Sequence, residues 1–221
     1  MSTLREVDVA RPIIPWLEER GWDVYQEVSD YDIVAVTGHI VWIVEVKTSL
    51  STKLCAQAFD RCRYAHYVSV AVPATERRDD GHNWAESRLA ERGIGVFTVN
   101  LRGGVWVRAE SMPALHRKPL YTKRLLASLR PEHKTHCEAG TPGGGGWTPW
   151  KGTCKSIVRK VAEHPGITLK ELLGGEEGHY HYANAQSART SLSHWLRLGK
   201  IPGIECRHDG RHLRLYALEA S

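Results

Sequence analysis

The 221-residue chain has no apolar run approaching the roughly 20 residues that a membrane-spanning helix needs. Its opening stretch "MSTLREVDVARP" also lacks the apolar core of a signal peptide, so no membrane association is expected and the expected location is the cytoplasm. No CxxC pair occurs. The five cysteines (Cys55, Cys62, Cys137, Cys154, Cys206) are odd in number and scattered, which suits reduced thiols and argues against a disulfide framework. "HKTHC" (His133, His136, Cys137) could offer zinc ligands with Cys154, but no recognised finger spacing follows, and a solvated linker is the expectation there.

The hydrophobic fraction of 42% is that of a folded chain and excludes disorder throughout. The net charge of +5 is unevenly spread: residues 1–110 hold 13 Lys+Arg against 16 Asp+Glu, and residues 111–221 hold 17 against 9. A basic half joined to an acidic half points to a grip on a polyanion in the second half and another task in the first. A merely soluble basic surface is the plain alternative.

After "LEERG" closes an N-terminal helix come "WDVYQEV", "DIVAVTG" and "IVWIVEVKT", three runs rich in β-branched and aromatic residues between turn formers, which predict three strands. "TGH" makes the second and third a hairpin. "TKLCAQAFDRCRYA" spaces Leu54, Ala58, Cys62 and Ala65 three or four apart, one buried helical stripe. "YVSVAVP", "NWAESRLAERG", "GVFTVN" and "VWVRAE" then predict strand, helix, strand and edge strand. The order αβββαβαββ describes an α/β sandwich around a mixed sheet, assigned to residues 1–110.

Residues 111–152, with "GTPGGGG" and only "LYTKRLLASLR" looking helical, are expected to be a flexible linker, although Trp147 and Trp150 argue for some packing. Residues 153–221 resume with "CKSIVRKVAEHPG", with "TLKELLG" behind a Thr168–Glu171 capping box, and with "NAQSARTSLSHWLRLGK". A hairpin around Asp209-Gly210 follows. Three helices and a hairpin predict a winged helix.

Three charges in this sheet need an explanation, because an unpaired buried charge is costly. Glu45 and Lys47 are two apart and project together from their strand, and Asp32 in the preceding strand reaches them if the hairpin register allows. Two carboxylates on neighbouring strands make an oxygen site for Mg²⁺ or Mn²⁺. With the lysine beside it, such a site suffices for phosphodiester hydrolysis: the metal activates a water and the ammonium stabilises developing charge. A structural ion pair between Asp32 and Lys47 is the plain alternative.

Asp32, twelve intervening residues and then Glu45-Val46-Lys47, on the hairpin of an αβββαβ order, resembles the PD-(D/E)XK nuclease superfamily of restriction enzymes and Holliday-junction resolvases. More closely, "REVDVARPIIPWLEERGWDVYQEV" and "DIVAVTGHIVWIVEVKTSLSTKLCAQAFDRCRYAHYVSVAVP" with a C-terminal winged helix are similar to a bacterial PD-(D/E)XK-like family of uncharacterised activity. Tyr31 stands where the motif has proline. The resemblance implies a restriction-endonuclease-like sandwich, a Mg²⁺- or Mn²⁺-dependent nuclease, and Asp32, Glu45 and Lys47 as its core set. It also implies Gln57 as the helix glutamine, Glu6 as the N-terminal acid and the Val46 carbonyl as a third metal ligand beside Asp32 and Glu45. On the residues alone, Gln57 reads equally as a surface side chain, and Arg61 either touches phosphate or is solvated.

In the tail, Gln186, Arg189, Ser193 and Arg197 are spaced to share one face of the third helix, and Arg207, His208 and Arg211 crowd the wing. Groove entry by the helix and backbone contact by the wing would make DNA the partner, with a protein partner as the alternative. "HYHY" (179–182) stacks on bases, binds metal or packs on the third helix. A double-strand cut with one site per chain would take two copies, so a homodimer is one expectation. A catalytically inactive DNA-binding regulator or assembly protein on the same fold is the competing functional reading.

Overall fold

The computed structural model describes residues 4–75, 79–101, 105–141, 146–175, 180–210 and 212–218. The chain divides into two compact units, Met1–Trp147 and Thr148–Ser221. The first is α/β. Its N-terminal helix is split into α1 (Glu6–Ala10) and α2 (Ile13–Glu18), because Pro12 has no N–H to continue α1 and instead stands at the start of α2. The strands β1 (Asp23–Val28), β2 (Tyr31–Thr37) and β3 (Ile40–Val46) follow, then α3 (Thr52–Arg61), β4 (Tyr67–Pro73), α4 (Asp80–Glu91), β5 (Gly95–Asn100) and β6 (Trp106–Ser111).

The six strands form one mixed sheet in sequential order, antiparallel from β1 to β3, parallel from β3 to β5, and antiparallel again at β6. Alternation along the strands divides the core between the two faces. Val34, Val41, Ile43, Val68 and Val70 meet Leu54 and Ala58 of α3 and Leu89 of α4. Ile33, Ala35, Trp42, Val44 and Phe97 meet Val9 of α1 and Ile13 and Leu17 of α2. Each fully buried aliphatic side chain of this kind stabilises the fold by about 1.5–3 kcal/mol.

The segment expected as a linker is largely ordered structure of this first unit. It contains α5 (Thr122–Ser128) and a 3₁₀ helix (Pro131–Lys134). Thr122 donates to the Tyr64 carbonyl at 2.8 Å, and Gln26 on β1 both donates to the Lys134 carbonyl (3.1 Å) and accepts from the Ala139 amide (3.0 Å). His133 is buried, takes the Arg130 amide on Nδ1 at 3.0 Å and meets Trp147 edge-on, so it is not a solvated linker residue. Sequence patterning missed this because the segment is held by side-chain bonds to a strand more than 100 positions away, which leave no local periodicity.

The second unit consists of α6 (Pro149–Glu163), β7 (Ile167–Thr168), α7 (Leu169–Leu173), α8 (Ala185–Arg197), β8 (Ile204–Asp209) and β9 (His212–Ala217). α6 begins earlier than its apolar stripe predicts, since Thr148 caps it by accepting from Lys151 and Pro149 supplies a preset φ at its first position. The Thr168–Glu171 capping box is present at α7. β7, β9 and β8 pair in that order, all antiparallel, with Asp209 opposite His212 across the turn that begins at Gly210 (φ +58°). Ile157, Val161, Leu172, Leu192, Leu196 and Leu215 form its core.

Candidate functional site

The two-residue turn at Gly38-His39 sets the β2–β3 register, with Thr37 opposite Ile40 and Ile33 opposite Val44. Continuing that register by one residue sets Asp32 across from Glu45. β3 then ends at Val46, and Lys47 follows as the ladder with β4 makes a last bond from its amide to the Ala71 carbonyl. Asp32, Glu45 and Lys47 thus meet at one end of the central strands. The Asp32 carboxylate accepts from the Val46 amide at 2.7 Å and from Lys47 Nζ at 3.2 Å.

Lys47 has three hydrogen-bond partners for the three N–H groups of its ammonium. Besides Asp32, Nζ donates to Glu6 Oε2 at 3.0 Å and to the Val46 carbonyl at 2.7 Å. Glu6, on the short α1, therefore does belong to the cluster. Burial pulls the lysine's pKa down, but Asp32 and Glu6 outweigh it and hold the ammonium above the usual lysine value.

Glu45 is turned to a different cation. It is 1% exposed, and its Oε1 accepts from Arg61 Nε at 2.6 Å. The Arg61 side chain, 7% exposed, also donates to the Asp30 carbonyl, pairs with the Asp30 and Asp60 carboxylates at 3.1 and 3.4 Å, and lies over the Tyr31 ring. Arg61 is thus neither solvated nor free to touch phosphate. Burial and the neighbouring Asp32 push the Glu45 carboxyl up to about 7, against the opposing pull of Arg61. One sequence signal could have found Arg61: it lies seven positions after Leu54 and three after Ala58, on the buried face of α3.

Two further residues call for description. Gln57, one turn before Arg61 on α3, has a buried Oε1 with no hydrogen-bond partner among the described residues. Glu27 escaped the sequence reading altogether. Its backbone is left-handed (φ +50°), and its half-buried carboxylate accepts from the Gly140 amide at 2.7 Å and from the Thr141 amide. Burial raises its pKa, and Asp32 and Lys47 are among the charges that act on it. Gly140 (φ +79°) in turn abuts α1: a Cβ there would lie 2.6 Å from the Glu6 carbonyl carbon and 2.7 Å from the Val7 amide nitrogen. The segment around Gly140 thereby supports both Glu6 and Glu27.

Among the described residues, no three His, Cys, Asp or Glu side chains are grouped in a way that would hold a metal ion. Two carboxylates and a carbonyl do converge, on the Lys47 ammonium. Glu6, Asp32 and the Val46 carbonyl are hard oxygen donors, and one or two carboxylates with retained waters are what Mg²⁺ ordinarily takes from a protein. The set fits such an ion in kind and includes Glu6, whereas Glu45, expected as a ligand, is bonded to Arg61.

In the second unit, Gln186, Arg189, Ser193 and Arg197 share one face of α8 and line a shallow concavity with Thr190 and His194. On the hairpin His208 is exposed, while Arg207 is paired with Glu205 at 2.8 Å and lies over Tyr216; Arg211 falls outside the described residues. In the aromatic stretch 180–182, His181 meets Thr153 through Nδ1 at 2.5 Å and stacks beside Trp150 and Tyr182, so it packs within its own unit; His179 also lies outside the described residues. No family model, curated protein or solved structure matches this chain.

Proposed function

We propose that the chain is a metal-dependent deoxyribonuclease of the PD-(D/E)XK type, hydrolysing DNA phosphodiester bonds and anchored to DNA by a winged helix in residues 148–221. The observation that supports the catalytic reading most is the seating of Lys47 Nζ within 3.2 Å of both Asp32 and Glu6, beside Glu45 at the end of β3. Asp32, Glu6 and the Val46 carbonyl would hold Mg²⁺ or Mn²⁺. When bound, such an ion neutralises a phosphate oxygen and lowers the pKa of a water. Lys47 supplies positive charge where negative charge develops on the phosphate. Arg61 fixes Glu45 from behind and takes no part in phosphate binding.

The anchor is supported by the helix–helix–helix–hairpin order and by the polar, basic outer face of α8. Residues 148–221 hold 11 Lys+Arg against 7 Asp+Glu. The rest of the basic excess seen beyond residue 110 belongs to 111–147, in the first unit. The grip therefore rests on where the arginines stand more than on net charge. In DNA-binding winged helices the third helix enters the major groove.

A second reading, a non-catalytic DNA-binding regulator or assembly protein, is favoured by one observation: Glu45 is buried and bonded to Arg61. Incubating the protein with supercoiled, linear, single-stranded and branched DNA in Mg²⁺ or Mn²⁺ separates the two. Metal-dependent cutting by the parent, absent from the Lys47→Ala and Asp32→Ala variants, is the expected result. Binding without cutting on every substrate would transfer the assignment to the second reading.

A further inference from the structure

We propose that in the resting protein the Lys47 ammonium occupies the place of the divalent cation and must leave it for the ion to enter, so that Lys47 governs ion affinity as well as turnover. This rests on the metal-dependent reading above. Three oxygens of the kind a hard cation takes, from Val46, Glu6 and Asp32, lie at 2.7, 3.0 and 3.2 Å from Nζ and match its three donors one for one. A divalent ion on the same oxygens would share their centre with a like charge, and the same lone pairs cannot serve both.

Of the two cations at the site, only Lys47 is placed to yield. Its side chain is 24% exposed, it stands just beyond the end of β3, and a flexible four-carbon stem carries its charge. Arg61 is 7% exposed, tied to Glu45, Asp30 and Asp60 and set over the ring of Tyr31, so it stays. Glu6, Asp32 and the Val46 carbonyl would accordingly be the first partners of an ion, while Glu45 keeps its arginine. The displaced ammonium would then turn outward to solvent, which its side chain already reaches.

The test is calorimetric titration of the full chain with Mn²⁺ alone, without DNA. Lys47→Met removes the ammonium at similar length. Lys47→Gln keeps two N–H donors for those oxygens without the charge and guards against a variant that fails to fold. Both neutral variants are expected to bind Mn²⁺ at least tenfold more tightly than the parent, and Lys47→Arg, which keeps the charge, is not. Adding Glu6→Gln to Lys47→Met should reverse most of that gain. Reductive methylation read by mass spectrometry gives a second measure: Lys47 should resist modification in the metal-free parent and react once Mg²⁺ saturates the protein. Measurable Mn²⁺ binding by the parent with equal or weaker binding by both neutral variants would overturn this proposal and leave the metal-dependent reading standing. Absence of Mn²⁺ binding from parent and variants alike would overturn both.

Discussion

Arg61 and Arg197 are the same residue type near the C-terminal ends of two helices, α3 and α8, yet their surroundings are opposite. Arg61 is 7% exposed and its guanidinium is used up by Glu45, Asp30 and Asp60. Arg197 stands exposed on a face shared with Gln186 and Arg189. A buried charge has to be answered within the fold, since leaving it unpaired costs several kcal/mol. An exposed one costs almost nothing to leave open and remains available to a partner. The end of β3 is accordingly a region whose charges are structural as well as chemical, and the α8 face is one whose charges are spare.

The sharpest way to break this contrast is Glu45→Ala, which takes from Arg61 its most buried partner and leaves it Asp30 and Asp60. It should lower the unfolding free energy by about 2–3 kcal/mol in chemical denaturation, the cost of one lost charge-assisted hydrogen bond in the interior. A loss below about 1 kcal/mol would mean that Arg61 escapes to solvent and that the two arginines differ less than their exposures imply.

The same pair gives a pH signature. The folded-state value for Glu45, about 7, lies above its ordinary 4.5, so between those limits the folded protein holds more protons than the unfolded chain. That contribution to stability is complete below pH 4.5 and is lost as pH rises towards 7. Denaturation midpoints of the parent, relative to a Glu45→Gln variant that cannot titrate there, should therefore fall across this window. A difference that stays flat or grows with pH would contradict the assignment.

Gly140→Ala tests how far the cluster depends on the distant segment. A left-handed residue with its Cβ 2.6 Å from the Glu6 backbone is strained and clashing, and a loss of roughly 1–3 kcal/mol is expected, together with weaker cleavage through displaced Glu6 and Glu27. Equal stability of the alanine variant would show that α1 yields freely. The smallest effect on stability belongs to α8: Arg189→Glu with Arg197→Glu should stay within about 0.5 kcal/mol of the parent. The same double variant should weaken DNA binding and flatten the logarithmic salt dependence by roughly 0.9 for each phosphate no longer neutralised. Unchanged DNA affinity would point to a protein partner for this face.

What the sequence by itself determined is local. The strands, the α3 stripe and the short turn at Gly38-His39 follow from periodicity and turn chemistry, and that turn is enough to bring Asp32 to Glu45 and Lys47, because a two-residue hairpin fixes which residues face each other. The capping box at Thr168 and the shared face of α8 are local in the same sense. What only the tertiary structure decided is how those charges are answered. Arg61 reaches Glu45 across 16 positions, Glu6 reaches Lys47 across 41, and Gly140 reaches Glu27 across 113. No period or spacing encodes such pairings. They arise when packing of α1, α3 and the 131–141 segment against the sheet removes water from these charges and leaves one another as their partners.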